Sequence, residues 1–212
     1  MSKNKVIGLY DPLKKLVKSK YSIELRPFES LLKLVNYSLI KFRKPALFKV
    51  VIYLKNEHQQ LPPMIDELKR LYVSSQLCPS LLYHWAREYK VDSKHTGTHY
   101  HFTFIGETRD RAGSEWQVEY RLKQALHQLQ SHGWINNYDF SVPWSQTMKP
   151  YSLKACCKDP DRTHDLVNWL SYNCKAETKE EVVGRCYGGS VVPAGTPTLE
   201  LYLQEVEQQL AA

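Results

Sequence analysis

Two histidines stand one residue apart in the segment KHTGTHYHFTFIG, which has the aromatic and β-branched composition of a strand. Alternate side chains of a strand point to the same face, so His99 and His101 project together, while Tyr100, Phe102 and Phe104 point to the other face. Helices would cover the three aromatic rings and leave the histidines on the open face of the sheet. Two imidazoles on one face bind a divalent cation when a carboxylate joins them.

The preceding segment, YHWAREYK, supplies a carboxylate. The polar turn VDSKHTG separates this segment from the histidines, which predicts a β-hairpin with a long loop. Glu88 shares a strand face with His84 and lies near the turn, about level with the histidine pair. Asp92, in the turn itself, is the alternative third ligand, although a loop holds a carboxylate less firmly. Two histidines and one carboxylate leave coordination positions for a phosphate oxygen, as Lewis-acid assistance of phosphoryl chemistry requires.

A second pair of reactive side chains occurs in the segment WLSYNCKAE. Tyr172 and Lys175 are three residues apart on a predicted helix, so we expect them to share a helix face. A neighbouring cation favours the ionised form of a phenol, which makes Tyr172 a workable nucleophile if it lies beside a metal ion. The sequence therefore predicts a site with Tyr172 and Lys175 as catalytic residues.

Other interpretations of these patterns remain open. An H-x-H pair on a strand is also compatible with a half-exposed polar face that binds no metal, and Tyr172 alone is compatible with a tyrosine at the edge of the core. The segment HFT satisfies one H-x-[ST] motif of the two-histidine phosphoesterases, but the sequence contains no second one. A cupin barrel also uses H-x-H, yet an all-β barrel does not accommodate the several helices predicted below.

The elements that would position these residues alternate between helical and strand patterns, and the central pair of strands forms a hairpin. This order predicts an α+β domain, with an antiparallel sheet and helices on one face. Residues 1–20 are expected to be a basic N-terminal arm and residues 21–212 a single domain. The segments with a helical pattern are 23–42, 62–77, 113–133, 161–179 and 196–210, and those with a strand pattern are 46–54, 80–90, 98–107, 134–144 and 181–192.

Composition narrows the range of functions. The 212 residues carry a formal net charge of +7, which favours a polyanionic partner such as nucleic acid. The phosphate-loop pattern G-x-x-x-x-G-K-[ST] does not occur, so no ATPase motor is expected. The five cysteines include no C-x-x-C spacing, and no signal peptide or membrane-spanning segment is evident. We expect a cytoplasmic protein with reduced thiols and no membrane association.

At these residues the chain resembles the HUH endonucleases, the rolling-circle replication initiators in which U is a bulky hydrophobic residue. The segment HYH (residues 99–101) fits that motif, and YNCK (residues 172–175) is similar to the Y-x-x-K motif of the single-tyrosine Rep class. The segments LYHWAREYK and GRCYGGS on either side are similar to the inovirus-type gene II protein family, also called YagK/YfjJ. The similarity is clearest over about residues 45–190.

The resemblance implies a five-stranded antiparallel sheet with the two histidines on a central strand. It also implies an activity: Tyr172 would attack a DNA phosphodiester, leaving a 5′-phosphotyrosyl link and a free 3′-hydroxyl. Mg²⁺ or Mn²⁺ would be held by His99, His101 and Glu88, and Lys175 would steady the phosphate or the phenolate. The expected DNA is single-stranded or locally melted.

The biological setting and one alternative function follow from the same resemblance. The protein would be encoded by a bacterial prophage or mobile element and would work with a host helicase and polymerase. The alternative is a DNA-binding protein or repressor that keeps the Rep fold and does not cut DNA.

Overall fold

The computed structural model describes residues 23–55, 61–74, 77–91, 96–109, 115–141, 152–175 and 184–197. The predicted N-terminal arm and the predicted closing helix from residue 198 onward lie outside these residues, as does Asp92. The helices are α1 (Leu25–Lys41), α2 (Leu61–Val73), α3 (Glu115–Ser131), α4 (Leu153–Cys156) and α5 (Pro160–Ser171), followed by a 3₁₀ turn at Tyr172–Cys174. The strands are β1 (Pro45–Leu54), β2 (Leu81–Val91), β3 (Thr96–Glu107), β4 (Ile135–Ser141) and β5 (Tyr187–Gly189).

The five strands form one antiparallel sheet in the order β4-β1-β3-β2-β5. The predicted hairpin is confirmed, because β2 and β3 pair along their whole length from Leu81 opposite Gly106 to Val91 opposite Thr96. The strand that carries the two histidines, β3, lies at the centre of the sheet. The α+β class predicted from the sequence is therefore confirmed.

One face of the sheet is covered by α2 and α3. Tyr100, Phe102 and Phe104 of β3 are fully buried on this face, as the alternation of side chains predicts. Their neighbours on β1 are Phe48 and Val50, which belong to the same apolar cluster. Aromatic and β-branched residues at alternate positions give these two strands a continuous apolar surface, and the two helices bury it.

The expectation that helices cover one face is incomplete, because α1, α4 and α5 pack on the second face. They cover Leu47 of β1 and Ile105 of β3, which lie toward the end of the sheet remote from the β2–β3 turn. The apolar face of α1 forms most of this layer through Phe28, Leu31, Leu32, Val35 and Leu39. Ile40, near the end of α1, is 58% exposed and does not belong to this layer.

Local details of the sequence also agree with the structure. Gly133 follows α3 with φ of +77°, the left-handed conformation that is typical of glycine just after a helix. All five cysteines are free thiols, as expected from their spacing. In the parts of the chain that the structure describes, no helix is both long and apolar enough to span a bilayer.

Candidate metal centre

Three side chains predicted to bind metal converge on the second face of the sheet. Strand pairing places Glu88 of β2 directly opposite His99 of β3, while His101 lies two residues further along the same strand face. The Nε2 atoms of His99 and His101 are 3.1 Å apart. Glu88 Oε2 lies 3.2 Å from His101 Nε2 and 3.8 Å from His99 Nε2. The prediction that Glu88 is level with the histidine pair is confirmed.

The spacing of these three atoms fits a shared divalent cation. One donor atom from each residue lies within 4.8 Å of the others, so the cluster could hold a metal ion. Two neighbouring ligands of an octahedral ion at about 2.1 Å lie about 3.0 Å apart, close to two of the three measured distances. Two imidazoles and one carboxylate on one side of an ion leave further positions for other ligands.

The surroundings of the cluster differ from those expected. His99 and Glu88 are buried, with 6% and 4% of their surface exposed, and His101 is half-buried. The expectation of an open face was wrong at this point because side chains from other elements reach over the strands. The ring of Tyr53 stacks on His99 with 5.7 Å between centroids, and the turn after α5 lies beside His101. Burial strengthens electrostatic interactions within the cluster, because water screens them less.

Tyr172 lies beside this cluster. Its ring is edge-on to that of His101, with 6.2 Å between centroids, and its side chain is half-buried. The ammonium group of Lys175 lies 4.0 Å from the centre of the Tyr172 ring. The structure therefore brings Tyr172, Lys175 and the three candidate metal ligands to the same face of the sheet.

The local geometry of Tyr172 and Lys175 differs from that predicted. They do not share a helix face, because α5 ends at Ser171 and Tyr172 begins a 3₁₀ turn. Lys175 is extended and forms an isolated antiparallel bridge with Ile23, and the amide of Glu24 donates to the carbonyl of Cys174. This pairing with the segment before α1 requires extended backbone, which a continuing helix does not provide.

Lys175 also interacts with the candidate metal-binding cluster of Glu88, His99 and His101. Its Nζ atom lies 3.9 Å from Glu88 Oε2, and both side chains are more than 90% buried. A buried carboxylate is costly without a compensating charge, and the ammonium group of Lys175 lies at this short distance from Glu88. An ionised Glu88 is the form that binds a metal ion.

Lys49 of β1 is a component of the site that sequence patterns did not identify. Its ammonium group donates to the carbonyl of Trp169 at 2.8 Å and lies 5.3 Å from the centre of the Tyr172 ring. Burial lowers the pKa of Lys49 to about 7, although Cys174 and Glu88 oppose this shift. A lysine within an apolar strand was the one sign in the sequence that Lys49 has a special role. The sequence did not reveal that role, because its partner Trp169 lies 120 residues away along the chain.

Asn173 was also missed, and it fixes the turn that carries Tyr172. Its side-chain amide donates to Thr103 Oγ1 at 2.9 Å, and both side chains are fully buried. Thr103 belongs to β3 and is two residues from His101. The residue next to the candidate nucleophile is therefore tied to the strand that holds the histidines.

Tyr187 of the edge strand β5 touches the same turn. Its hydroxyl donates to the carbonyl of Lys175 at 3.4 Å. Burial raises the pKa of Tyr187 far above its ordinary value, so its phenol stays neutral at physiological pH. Tyr187 is consequently a hydrogen-bond donor in this structure and a poor candidate for a nucleophile.

Comparison with known proteins does not extend these observations. No protein-family model, no curated protein and no solved structure matches the chain.

Proposed function

We propose that this protein nicks and rejoins single-stranded DNA in a metal-dependent reaction through a covalent bond to Tyr172. The observation that carries the proposal is the position of Tyr172 beside His101, on the same face as Glu88 and His99. Nucleophile and metal ligands lie 71 residues apart in the chain, from His101 to Tyr172, yet they meet at one site. Their order along the chain supports the proposal that the protein belongs to the HUH endonucleases and is similar to the inovirus-type gene II proteins.

The metal ion of the proposal is Mg²⁺ or Mn²⁺, held by Glu88, His99 and His101. When bound, such an ion supplies Lewis-acid stabilisation of the charge that develops on a phosphate oxygen. The same donor set is also typical of Fe(II) sites. Phosphoryl chemistry is favoured because a phenol and an ammonium group adjoin the cluster, where a DNA phosphate would need a nucleophile and a counter-charge.

In the proposed reaction the Tyr172 oxygen attacks the phosphorus of a DNA phosphodiester. A Tyr172–phosphate bond forms and the bond from phosphorus to the 3′ oxygen breaks. The phenolic proton is lost to solvent, and the departing 3′ oxygen takes up a proton to become a free hydroxyl. Attack by a 3′-hydroxyl on the phosphotyrosine reverses these changes and joins the strand. The ammonium group of Lys175 adjoins the ring of Tyr172 and would stabilise the negative charge that develops on the reacting oxygens in both directions.

The proposed partner is single-stranded or locally melted DNA. The net charge of +7 supports a polyanion as the binding partner. Because the sequence lacks a phosphate-loop pattern, we propose that a host helicase opens the duplex and a host polymerase extends the free 3′-hydroxyl.

The proposal is tested by covalent capture of DNA. A randomised single-stranded oligonucleotide pool, labelled at the 3′ or the 5′ end, is incubated with the protein and Mn²⁺ and then analysed on a denaturing protein gel. A 5′-phosphotyrosyl link retains the 3′ fragment, so only the 3′ label should migrate with the protein. Tyr172→Phe should remove this band, and Tyr187→Phe should keep it, because Tyr187 donates to the backbone of the turn and is a poor candidate for a nucleophile.

Other outcomes of this experiment would indicate a different function or a different reaction. DNA that is retarded on a native gel but forms no adduct with Mg²⁺, Mn²⁺ or Fe²⁺ would indicate the non-cutting DNA-binding protein. An adduct that carries the 5′ label would reverse the proposed polarity of cleavage. An adduct that persists in Tyr172→Phe would refute the assignment of the nucleophile.

A further inference from the structure

Lys49 is a buried lysine on β1, and its neighbours along the strand face are apolar. Only 3% of its surface is exposed, and Leu47 and Val51 flank it on the same face of the strand. An ammonium group is costly to bury unless acceptors or opposite charges replace its hydration. The groups that its Nζ atom contacts therefore indicate what Lys49 does.

The first of these contacts lies at the end of α5. Lys49 Nζ donates to the carbonyl oxygen of Trp169, which belongs to the last turn of that helix. The carbonyl end of a helix carries a partial negative charge and a surplus of acceptors, so a cation is favourable there. Lys49 thus connects strand β1 to the helix end from which the Tyr172 turn begins.

The second contact is with aromatic rings. The Lys49 Nζ atom lies 5.1 Å from the centre of the Trp169 ring and 5.3 Å from that of Tyr172. The Tyr172 ring thus lies close to ammonium groups from two separate elements, since Lys175 contacts it at 4.0 Å. Each ammonium group is attracted to the face of an aromatic ring, and such contacts are stronger when water is excluded.

We propose that Lys49 is a positioning residue that holds the Tyr172 phenol beside the metal-binding cluster. This inference rests on the proposed function, because it assumes that Tyr172 is the nucleophile. Lys49 acts through the carbonyl of Trp169 and through the ring of Tyr172, while Glu88, His99 and His101 hold the metal. Misplacement of a reacting group by about 1 Å can cost roughly 100-fold in rate, so a small shift of the ring would be measurable.

The test compares Lys49→Met with Thr163→Val. Methionine keeps most of the length of the side chain and removes the ammonium group. Thr163 lies in α5, the helix that also contains Trp169, and its hydroxyl donates a buried hydrogen bond to the carbonyl of Cys156. Because this bond does not involve Tyr172, Thr163→Val controls for a general loss of stability. The rate of adduct formation is measured at saturating Mn²⁺ and saturating 3′-labelled oligonucleotide, together with Mn²⁺ affinity in the absence of DNA and the dissociation constant for DNA.

The expected result is a loss of rate without a loss of binding. Lys49→Met should slow adduct formation by at least about tenfold, while Mn²⁺ affinity and DNA affinity stay at wild-type values. Thr163→Val should form the adduct at the wild-type rate. An unchanged rate in Lys49→Met, or equal losses in both variants, would overturn the proposal.

A second readout needs no DNA and separates this inference from the nuclease proposal. The rate of nitration of Tyr172 by tetranitromethane is followed by peptide mass spectrometry in the wild-type protein and in both variants. Release of the phenol from its position should make nitration of Tyr172 faster in Lys49→Met and leave it unchanged in Thr163→Val. If the wild-type protein forms no adduct, the nuclease proposal fails, and equal nitration rates in all three proteins would independently refute the role of Lys49.

Discussion

At the scale of single residues, His99 and His101 differ from the exposed histidines of the chain because their ring nitrogens lie close to other metal-binding atom types. Their Nε2 atoms point at each other and at Glu88, whereas His127 lies exposed on α3. Even an outer-shell partner of a metal ligand is worth roughly 10–100-fold in affinity. His99→Ala or His101→Ala should therefore lower Mn²⁺ affinity by at least about 100-fold and abolish nicking.

Calorimetric titration with Mn²⁺ checks this expectation, with circular dichroism to verify that the fold is intact. The matched control is His127→Ala, which removes an imidazole that is remote from the cluster and should bind Mn²⁺ as the wild-type protein does. Wild-type cleavage by either His99→Ala or His101→Ala would contradict the role of the cluster.

Glu88 is expected to be the carboxylate ligand, because its Oε2 atom lies within 3.2 Å of His101 Nε2. Glu88→Ala should weaken Mn²⁺ binding more than Asp92→Ala, since Glu88 is held on a central pair of strands. Calorimetry on both variants measures the difference directly. Stronger weakening by Asp92→Ala would transfer the ligand role to the β2–β3 turn.

At the scale of elements, the 3₁₀ turn that carries Tyr172 is tied to β3 by the hydrogen bond from Asn173 to Thr103. Thr103→Val keeps the shape of the side chain and leaves the buried amide of Asn173 without its acceptor. The free energy of unfolding should fall by about 1–3 kcal/mol. Urea unfolding measures this loss. An unchanged free energy of unfolding in Thr103→Val would contradict the role of Thr103.

The attachment of α5 to β1 through Lys49 has a consequence for stability as a function of pH. Burial lowers the pKa of Lys49 from 10.5 to about 7, although Glu88 and Cys174 oppose the shift and Lys175 adds to it. Between these two values the unfolded chain binds a proton that the folded chain does not bind. The contribution of Lys49 to the free energy of unfolding therefore rises from pH 7 to pH 10.5.

Urea unfolding of the wild-type protein and of Lys49→Met across this pH range isolates the effect. The stability of the wild-type protein relative to Lys49→Met should increase from about pH 7 to about pH 10. A difference that is constant with pH would show that Lys49 keeps an ordinary pKa in the folded protein, and a difference that decreases would show that its pKa is raised.

The sequence predicted some of these elements better than others, for physical reasons. The β2–β3 hairpin and the level of Glu88 could be predicted because side chains alternate along a strand and a hairpin fixes its own register. The end of α5 at Ser171 could not be predicted, because Lys175 leaves the helix to pair with Ile23, far away in sequence. The role of Lys49 could not be predicted either, because its partner Trp169 is also far away in sequence and reaches it only when α5 packs on the sheet.

At the scale of the whole molecule, the second helical layer determines how open the site is. A pattern of apolar residues predicts that a helix is amphipathic but not which face of the sheet it covers. The layer of α1, α4 and α5 therefore could not be placed from the sequence, and the histidines were expected on an open face. The resulting burial of His99 and Glu88 gives the candidate centre a drier environment than the sequence suggested.

For the proposed binding of DNA, the net charge of +7 predicts an affinity that falls as the salt concentration rises. Contacts to about four phosphates of a single strand would lower the affinity by about 50-fold between roughly 50 and 200 mM salt. Fluorescence anisotropy with a labelled single-stranded oligonucleotide, titrated at several salt concentrations, gives this slope. An affinity that does not change with salt would count against contact with the DNA backbone.

The most direct measurement identifies the amino acid that becomes bonded to DNA. Wild-type protein is incubated with Mn²⁺ and single-stranded DNA, the adduct is digested with nuclease and protease, and the peptides are sequenced by mass spectrometry. The proposed function predicts a nucleotide 5′-phosphate on Tyr172 and on no other residue. A nucleotide on Tyr187 or any other side chain, or the absence of a modified peptide with Mg²⁺ and Mn²⁺ alike, would contradict it.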